Sequence, residues 1–219
     1  MSQNNTIPNS NYHSMVLLGD AAWTLLADQP IDQIGIDGVA DMAGVDRGLA
    51  GALAGSVQCL VLAKMSELDR QSLTEISGEI QDAGAVSIRE KIIESFLHWF
   101  ETYVPYRMQI DQLNRSARSH PDLALRLFVR LEALVRHVLV MSGDPALGFR
   151  GMVRVKGVAG VFLATARVWM RDDSSDLAAT MKMLDQRMLQ AEEWGISLRV
   201  FDGERSHGDL VDVEADDRR

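Results

Sequence analysis

The sequence contains a single cysteine, Cys59, among its 219 residues. One thiol cannot form a disulfide within the chain, and it excludes the cysteine spacings of ordinary zinc sites. The five histidines, at positions 13, 98, 120, 137 and 207, are scattered without the spacing of metal ligands. We therefore expect neither a disulfide-stapled fold nor a metal centre, and we expect no cofactor.

Long apolar runs are also missing. The sequence has no stretch of about 18 apolar residues, and it does not open with a charged segment followed by an apolar run. The pattern predicts neither a spanning helix nor a signal peptide, so we expect the protein in the cytoplasm.

Two sets of residues resemble parts of catalytic sites, a group of aspartates and the single cysteine. Asp172, Asp173 and Asp176 suggest a metal site, but acids at these positions also stabilise the N-terminus of a following helix through its dipole. Cys59 lies in an apolar run, which is typical of a buried, inert thiol. No glycine spacing suits a phosphate loop. We predict that the chain is not an enzyme.

Charge is distributed unevenly over a chain of formal charge −9. Residues 1–64 carry six acids and two bases, whereas residues 107–171 carry eleven bases against six acids, counting the flanking Glu101 and Asp172. The segment from Ser197 carries seven acids and four bases. The arginines at 115, 118, 126, 130 and 136 suit a solvated helix face, or else a surface for an acidic partner or anionic lipid.

Apolar residues recur at three- and four-residue steps through most of the chain, which predicts an all-α fold. Helices are expected over residues 14–30, 36–44, 46–55 and 56 onward, then from Ser87 to Pro105, and over 106–118, 121–141, 147–170 and 174–194. Ser87 and Glu90 form a capping-box pattern, and Pro121 suits the first position of a helix. The segments 36–44 and 46–55, joined at Gly44, are typical of a helix-turn-helix.

These elements predict four regions. Residues 1–13 form a flexible N-terminus, 14–55 a three-helix head, 56–195 a larger helical body for ligand binding and dimerisation, and 196–219 an acidic tail.

The order of elements resembles that of TetR-family proteins. The segment 21–27, the stretch from Ile36 to Leu49 with its Ala43-Gly44-Val45 turn, and Gly55-Ser56 look like the family's first helix, helix-turn-helix and entry to the fourth helix. The resemblance implies a TetR-like fold, with DNA contacted through residues 36–54 and a small molecule held in the body.

The segment from Val168 to Arg187 is similar to the closing helices of the ubiquinone-biosynthesis accessory proteins of the Coq-nine type. Those proteins share the TetR fold but bind an isoprenoid lipid. This resemblance implies an apolar, lipid-like ligand and a role as an accessory factor in ubiquinone biosynthesis.

The sequence departs from both patterns. The first helix opens without Lys or Arg, the recognition helix is small and apolar over residues 49–53, and Val57 stands where a lysine is usual in TetR regulators. The tail is acidic where the lipid-binding group has a basic amphipathic helix. DNA binding is therefore disfavoured, although Asp46, Arg47 and Gly48 are its candidate residues.

The leading hypothesis is a non-enzymatic, lipid-binding protein with a degenerate head, and the alternative is a ligand-responsive TetR-type repressor. An aromatic cluster around Pro105 predicts the apolar ligand site, formed by Phe96, Trp99, Phe100, Tyr103, Tyr106 and Met108. Core packing is the other interpretation of these rings.

A homodimer is predicted through the last two helices. The last helix carries an apolar seam, Leu177, Met181, Leu184 and Met188, and the helix before it carries small residues that permit close approach, Gly157, Ala159, Gly160 and Ala164.

Overall fold

The computed structural model describes residues 7–82, 84 and 86–197. Within them the chain is all-α and contains no strand. The helices are α1 Ile7–Leu25, α2 Ile36–Ala43, α3 Arg47–Ala54, α4 Val57–Asp82, α5 Ile88–Tyr103, α6 Arg107–Ser119, α7 Pro121–Met141, α8 Gly148–Trp169 and α9 Ala178–Ser197. Short 3-10 turns at Ile31–Gln33 and Val104–Tyr106 precede α2 and α6.

The predicted helix-turn-helix is confirmed in its local geometry. Gly44 ends α2 with a φ of 64°, a left-handed conformation that glycine adopts without strain. Asp46 then caps α3, since its Oδ1 accepts a hydrogen bond from Leu49 N at 2.9 Å. Gly48 permits this cap, because a Cβ there would lie 3.1 Å from Asp46 Oδ1.

Helix α1 begins seven residues earlier than the sequence predicted. Residues 1–13 were expected to be flexible, but α1 begins at Ile7 and continues through the Asn- and Ser-rich segment. Pro8 lies in the first turn, where the N–H that proline lacks would have no helical partner. Residues 1–6, and residues 198–219 of the predicted acidic tail, lie outside the described part of the chain.

Helix α4 contacts both parts of the molecule. It packs against α1 and α3 of the head and against α5 and α7 of the body. Leu60 and Val61 are fully buried near its start, and Ile76 and Ile80 are buried further along it. Cys59, expected to be buried, is instead exposed, because it lies on the opposite side of α4 from the core.

Capping and proline placement position the body helices as the sequence predicted. Ser87 and Glu90 form a complete capping box at the start of α5. Pro105 lies in the 3-10 turn that follows α5, and Pro121 occupies the first turn of α7. These breaks turn the chain so that α5, α7 and α8 surround one apolar core.

The predicted dimer seam on α9 was wrong. Leu177, Leu184 and Met188 are buried inside their own chain, where α9 packs against α8 and α5. The apolar spacing correctly predicted a helix at α9. It does not show whether the apolar stripe is covered by the same chain or by a second copy. Only Met181 of this set is exposed, at 48%.

Shortening Leu184 to alanine therefore tests folding and not association. Leu184 is fully buried, so Leu184→Ala should lower the free energy of unfolding by about 2–5 kcal/mol. Met181→Ala, one turn earlier on the exposed side, is the matched control and should change stability by less than about 0.5 kcal/mol. Urea denaturation followed by circular dichroism measures both. Equal effects of the two variants would contradict the assignment of α9's faces.

Candidate functional site

The outer face of α3 is the surface that a helix-turn-helix would present to DNA. Ala50 and Ala54 face the core and are buried. The exposed positions carry small or apolar side chains apart from one arginine: Arg47, Gly48, Leu49, Gly51 and Ala52. Hydrogen bonds to base edges come from Arg, Lys, Asn, Gln, Ser, Thr, Asp or Glu, so Arg47 is the one side chain on this face that could hydrogen-bond a base.

Arg47 is held by a carboxylate of the preceding helix. Its Nε lies 2.8 Å from Asp41 Oδ1, and a terminal nitrogen lies 2.6 Å from Asp41 Oδ2. The hydrogen bond between them lowers the pKa of Asp41 and raises the pKa of Arg47. Both side chains are more than half exposed, so the pair adds little stability, but it offsets the one cation of this surface.

The rest of the described head, residues 7–56, is acidic. It contains six aspartates and no base besides Arg47, a formal charge of −5: Asp20, Asp28, Asp32, Asp37, Asp41 and Asp46. Lys64, just beyond it on α4, is paired with Asp20 at 2.7 Å and Glu67 at 3.1 Å. The Asp46 carboxylate also occupies the N-terminus of α3, where a phosphate would otherwise accept backbone hydrogen bonds.

The predicted aromatic cluster forms, and it is closed. Phe96, Trp99, Phe100 and Tyr103 are each at most 7% exposed on α5. Two rings of α8 complete the cluster: Phe162 stacks on Phe100 at 5.0 Å between centroids, and Trp169 lies 5.5 Å from the same ring. These rings fill the space between α5 and α8 with their own side chains.

The other two predicted ligand residues behave differently. Tyr106 is half-buried and lies between the body and the head, 6.3 Å from Tyr103 and 5.8 Å from Trp23 of α1. Met108, in the first turn of α6, does not join the cluster and is 61% exposed.

A buried polar network adjoins the rings. Asp69 Oδ1 accepts hydrogen bonds from Trp99 Nε1 at 2.9 Å and from the Tyr103 hydroxyl at 2.7 Å. Arg130 donates to Asp69 Oδ2 at 2.7 Å. Burial and the neighbouring Asp69 carboxylate raise the pKa of Tyr103 well above its usual range, so the hydroxyl keeps its proton and remains a donor.

Sequence reasoning missed Asp69 and misassigned Arg130 to a solvated basic face. Asp69 follows Met65 and Leu68, which are both buried, and it precedes the buried Ser72. A carboxylate within the apolar stripe of a helix was the available signal for a buried ion pair. Its partners lie 30 to 61 residues away, however, so the sequence did not identify them.

A shallow cleft of about 440 Å³ lies where α5, α6 and the α8–α9 connection meet. Arg107 crosses it, donating to the Asp172 carbonyl at 2.6 Å, with its guanidinium 5.0 Å from the Trp169 ring centre. Burial raises the pKa of Asp172, but hydrogen bonds from Ser174 and Thr180 outweigh this and lower it to about 2. Asp172 thus caps α9, and the described residues contain no cluster of three or more potential metal ligands.

No single described helix is long and apolar enough to span a membrane. One bent pair of helices, Arg47–Ala54 with Val57–Ile80, has the length and the apolar composition of a membrane span, and nothing beyond length and composition suggests that it is one.

The whole fold superposes on solved structures of TetR transcriptional regulators. A TetR transcriptional regulator from Nitrosomonas europaea superposes with a TM-score of 0.64 at 19% identity, covering 82% of this chain and 98% of that one. A TetR transcriptional regulator from Rhodococcus sp. RHA1 gives 0.56 at 14% identity, covering 81% and 97%. The fold is TetR-like. No family model and no curated protein matches the sequence.

We call helices α1–α3, which contain the helix-turn-helix, the head, and we call the later helices the body. At these identities the likeness concerns architecture, while the exposed side chains of α3 are this chain's own.

Proposed function

We propose that the chain is a non-enzymatic, dimeric TetR-fold protein that binds an apolar ligand through its body and whose head does not read an operator. The observation that carries the proposal is the outer face of α3, which offers one base-reading side chain, already paired with Asp41. The acidic head adds to this, because nonspecific affinity for a duplex depends on cations that neutralise phosphates.

DNA binding should therefore be weak and independent of sequence. In a fluorescence anisotropy titration with duplexes from its own upstream region, we expect no selective submicromolar binding at physiological salt. Binding confined to low salt is consistent with the proposal, since it would reflect charge alone. Arg47→Ala is the internal control and should leave any residual binding nearly unchanged. Selective binding at physiological salt that Arg47→Ala abolishes would overturn this reading.

That result would establish the second candidate, a ligand-responsive transcriptional repressor. Two observations favour it. The helix-turn-helix keeps its local geometry, with a left-handed Gly44 turn and an Asp46 cap. The two solved structures described above are TetR transcriptional regulators.

The dimer is proposed to form through the outer face of α8. Gly157 and Gly160 lie in the middle of this helix on its exposed side, with open space where each Cβ would be. Glycine in a helix interior costs about 1 kcal/mol relative to alanine, and nothing within the chain packs against these two positions. Exposed apolar residues flank them, Phe149 at 75%, Met152 at 42% and Leu163 at 43%. A second copy would cover this surface through close helix contact.

A charge placed on this face should separate the subunits. Leu163→Arg should give a monomer in light scattering at tens of micromolar while the circular dichroism spectrum is retained, because Leu163 is already exposed in the single chain. Met108→Arg, at an exposed apolar position on α6, is the matched control and should remain dimeric. A wild-type monomer, or dimers in both variants, would contradict this interface.

The ligand is proposed to enter between α5 and α8 by displacing rings of the aromatic cluster. Six aromatic rings of α5 and α8 lie together in the cluster, and the resemblance of the closing helices to isoprenoid-binding proteins supports a lipid-like molecule. Because Phe96 and Phe100 are fully buried against Phe162, binding requires these rings to move.

Native mass spectrometry of the purified protein should show a copurifying apolar compound, and a short-chain ubiquinone should raise the melting temperature. Phe162→Trp enlarges a ring of the cluster and should reduce that rise. Phe128→Trp, at a partly exposed ring of α7 outside the cluster, is the control. The ligand proposal fails if no compound copurifies and the quinone leaves the melting temperature unchanged.

A further inference from the structure

The connection between α7 and α8, residues 142–147, is held in one conformation from both sides. The buried Asp144 accepts a hydrogen bond from Ala146 N at 3.1 Å through Oδ1, and its Oδ2 accepts one from Arg154 of α8. Ala146 has a φ of 46°, in the left-handed region that favours glycine. Gly151 makes room for this turn, because a Cβ there would lie 2.0 Å from the carbonyl group of Ala146.

This fixed connection presents two large apolar side chains to solvent. Leu147 is 77% exposed and Phe149 is 75% exposed, the highest exposed fractions among the large apolar side chains that the structure describes. Because the backbone that carries them is held in place, both side chains stay exposed unless another segment covers them. An exposed apolar pair on a rigid support is typical of a docking surface.

The chain leaves α9 at the same end of the body. Helices α8 and α9 pack against each other and are joined by the short connection 170–177, so they run antiparallel. They contain 22 and 20 residues, so at about 1.5 Å per residue they are nearly equal in length. The end of α9 at Ser197 therefore lies level with the first turn of α8, and the axes of packed helices are only about 8–10 Å apart.

The residues after α9 carry the chemistry that this surface requires. Val200 and Phe201 are apolar, and Asp202 follows them directly. Four residues of extended chain span up to about 14 Å, which is enough to bring Phe201 from the end of α9 to the start of α8. An exposed arginine, Arg150, directly follows Phe149 on α8, so an acidic residue after an apolar pair is matched by a basic one.

We infer that residues 198–204 fold back from the end of α9 and cover the apolar pair Leu147 and Phe149. In this contact Phe201 packs against Leu147, and Asp202 lies beside the guanidinium group of Arg150. The occupant is a segment of this chain because the start of α8 lies within its reach and because its apolar and acidic residues complement the surface.

This contact is separate from the dimer surface proposed on α8. That surface is centred on Gly157 and Gly160, and Gly157 lies about 12 Å along the helix from Phe149. Leu147 precedes the helix and lies further still from the two glycines. Substitutions at Leu147 therefore test the folded-back segment without altering the centre of the dimer surface.

Paramagnetic relaxation measures where the segment lies. A spin label is attached at Arg205→Cys in a Cys59→Ser background, and the broadening of each amide signal is recorded. The labelled chain is diluted into unlabelled protein that gives no signal, so that only contacts within one chain contribute. We expect strong broadening at residues 146–150. Leu147→Ser and Phe201→Ser should each lower the docked-to-undocked ratio about tenfold, and the broadening should fall with it.

The matched control is Leu125→Ser, the same change at a leucine of α7 that is 63% exposed. It should leave the broadening at residues 146–150 as it is in the wild type. Leu147 is exposed and has an extended backbone, so Leu147→Ser should fold, which circular dichroism checks. Broadening that is absent in the wild type, or that survives both Leu147→Ser and Phe201→Ser, would show that the segment does not dock on this pair.

A lipid surface is the other occupant that the experiment distinguishes. Wild type and Leu147→Ser are mixed with phosphatidylcholine vesicles, with and without phosphatidylglycerol, and separated by flotation. We expect neither protein to float with the vesicles. Flotation of the wild type that Leu147→Ser abolishes would assign the pair to a membrane and overturn the inference. Both measurements use neither DNA nor an apolar ligand, so their outcome is independent of the proposed function.

Discussion

The carboxylate of Asp69 is the constraint on which the arrangement of helices depends. A buried charge is costly unless its hydrogen-bonding positions are filled, and losing one partner leaves the other uncompensated. Asp69 meets this requirement with an indole N–H, a phenol hydroxyl and a guanidinium, contributed by α5 and α7. All three donors reach Asp69 in the arrangement in which α4, α5 and α7 pack, so this carboxylate ties α4, the helix that also contacts the head, to two helices of the body.

The head shows that local geometry and surface chemistry are set by different residues. Gly44 and Asp46 fix the turn and the start of α3 through a left-handed φ and a backbone cap, and neither contact requires DNA. The outer face of α3 is free to change once that geometry is in place, and here it carries glycine, alanine and leucine beside a single arginine, Arg47. The geometry of a helix-turn-helix and the chemistry of its outer face are therefore separate properties, which is why fold likeness alone does not assign a function.

Local signals predicted much of the fold, and long-range contacts account for what the sequence did not reveal. Helix ends at Gly44, Ser87 and Pro121 follow from backbone chemistry within a few residues, and the sequence identified them. Which face of a helix is buried depends on residues that are distant in the sequence. The sequence therefore predicted an exposed seam on α9, whose Leu184 and Met188 are buried, and a Met108 in the ligand site, which is exposed. Asp69 and Arg130 are 61 residues apart, and no local pattern pairs them.

The most direct test of this account is a double-mutant cycle between Asp69 and Arg130. The free energy of unfolding is measured by urea denaturation for the wild type, Asp69→Asn, Arg130→Met and the double variant. A shared, shielded interaction predicts a coupling energy of about 1–3 kcal/mol, with the double variant losing much less stability than the two single changes added together. Additive losses, with coupling below about 0.3 kcal/mol, would show that the two residues act independently and would contradict the central role of the Asp69 carboxylate.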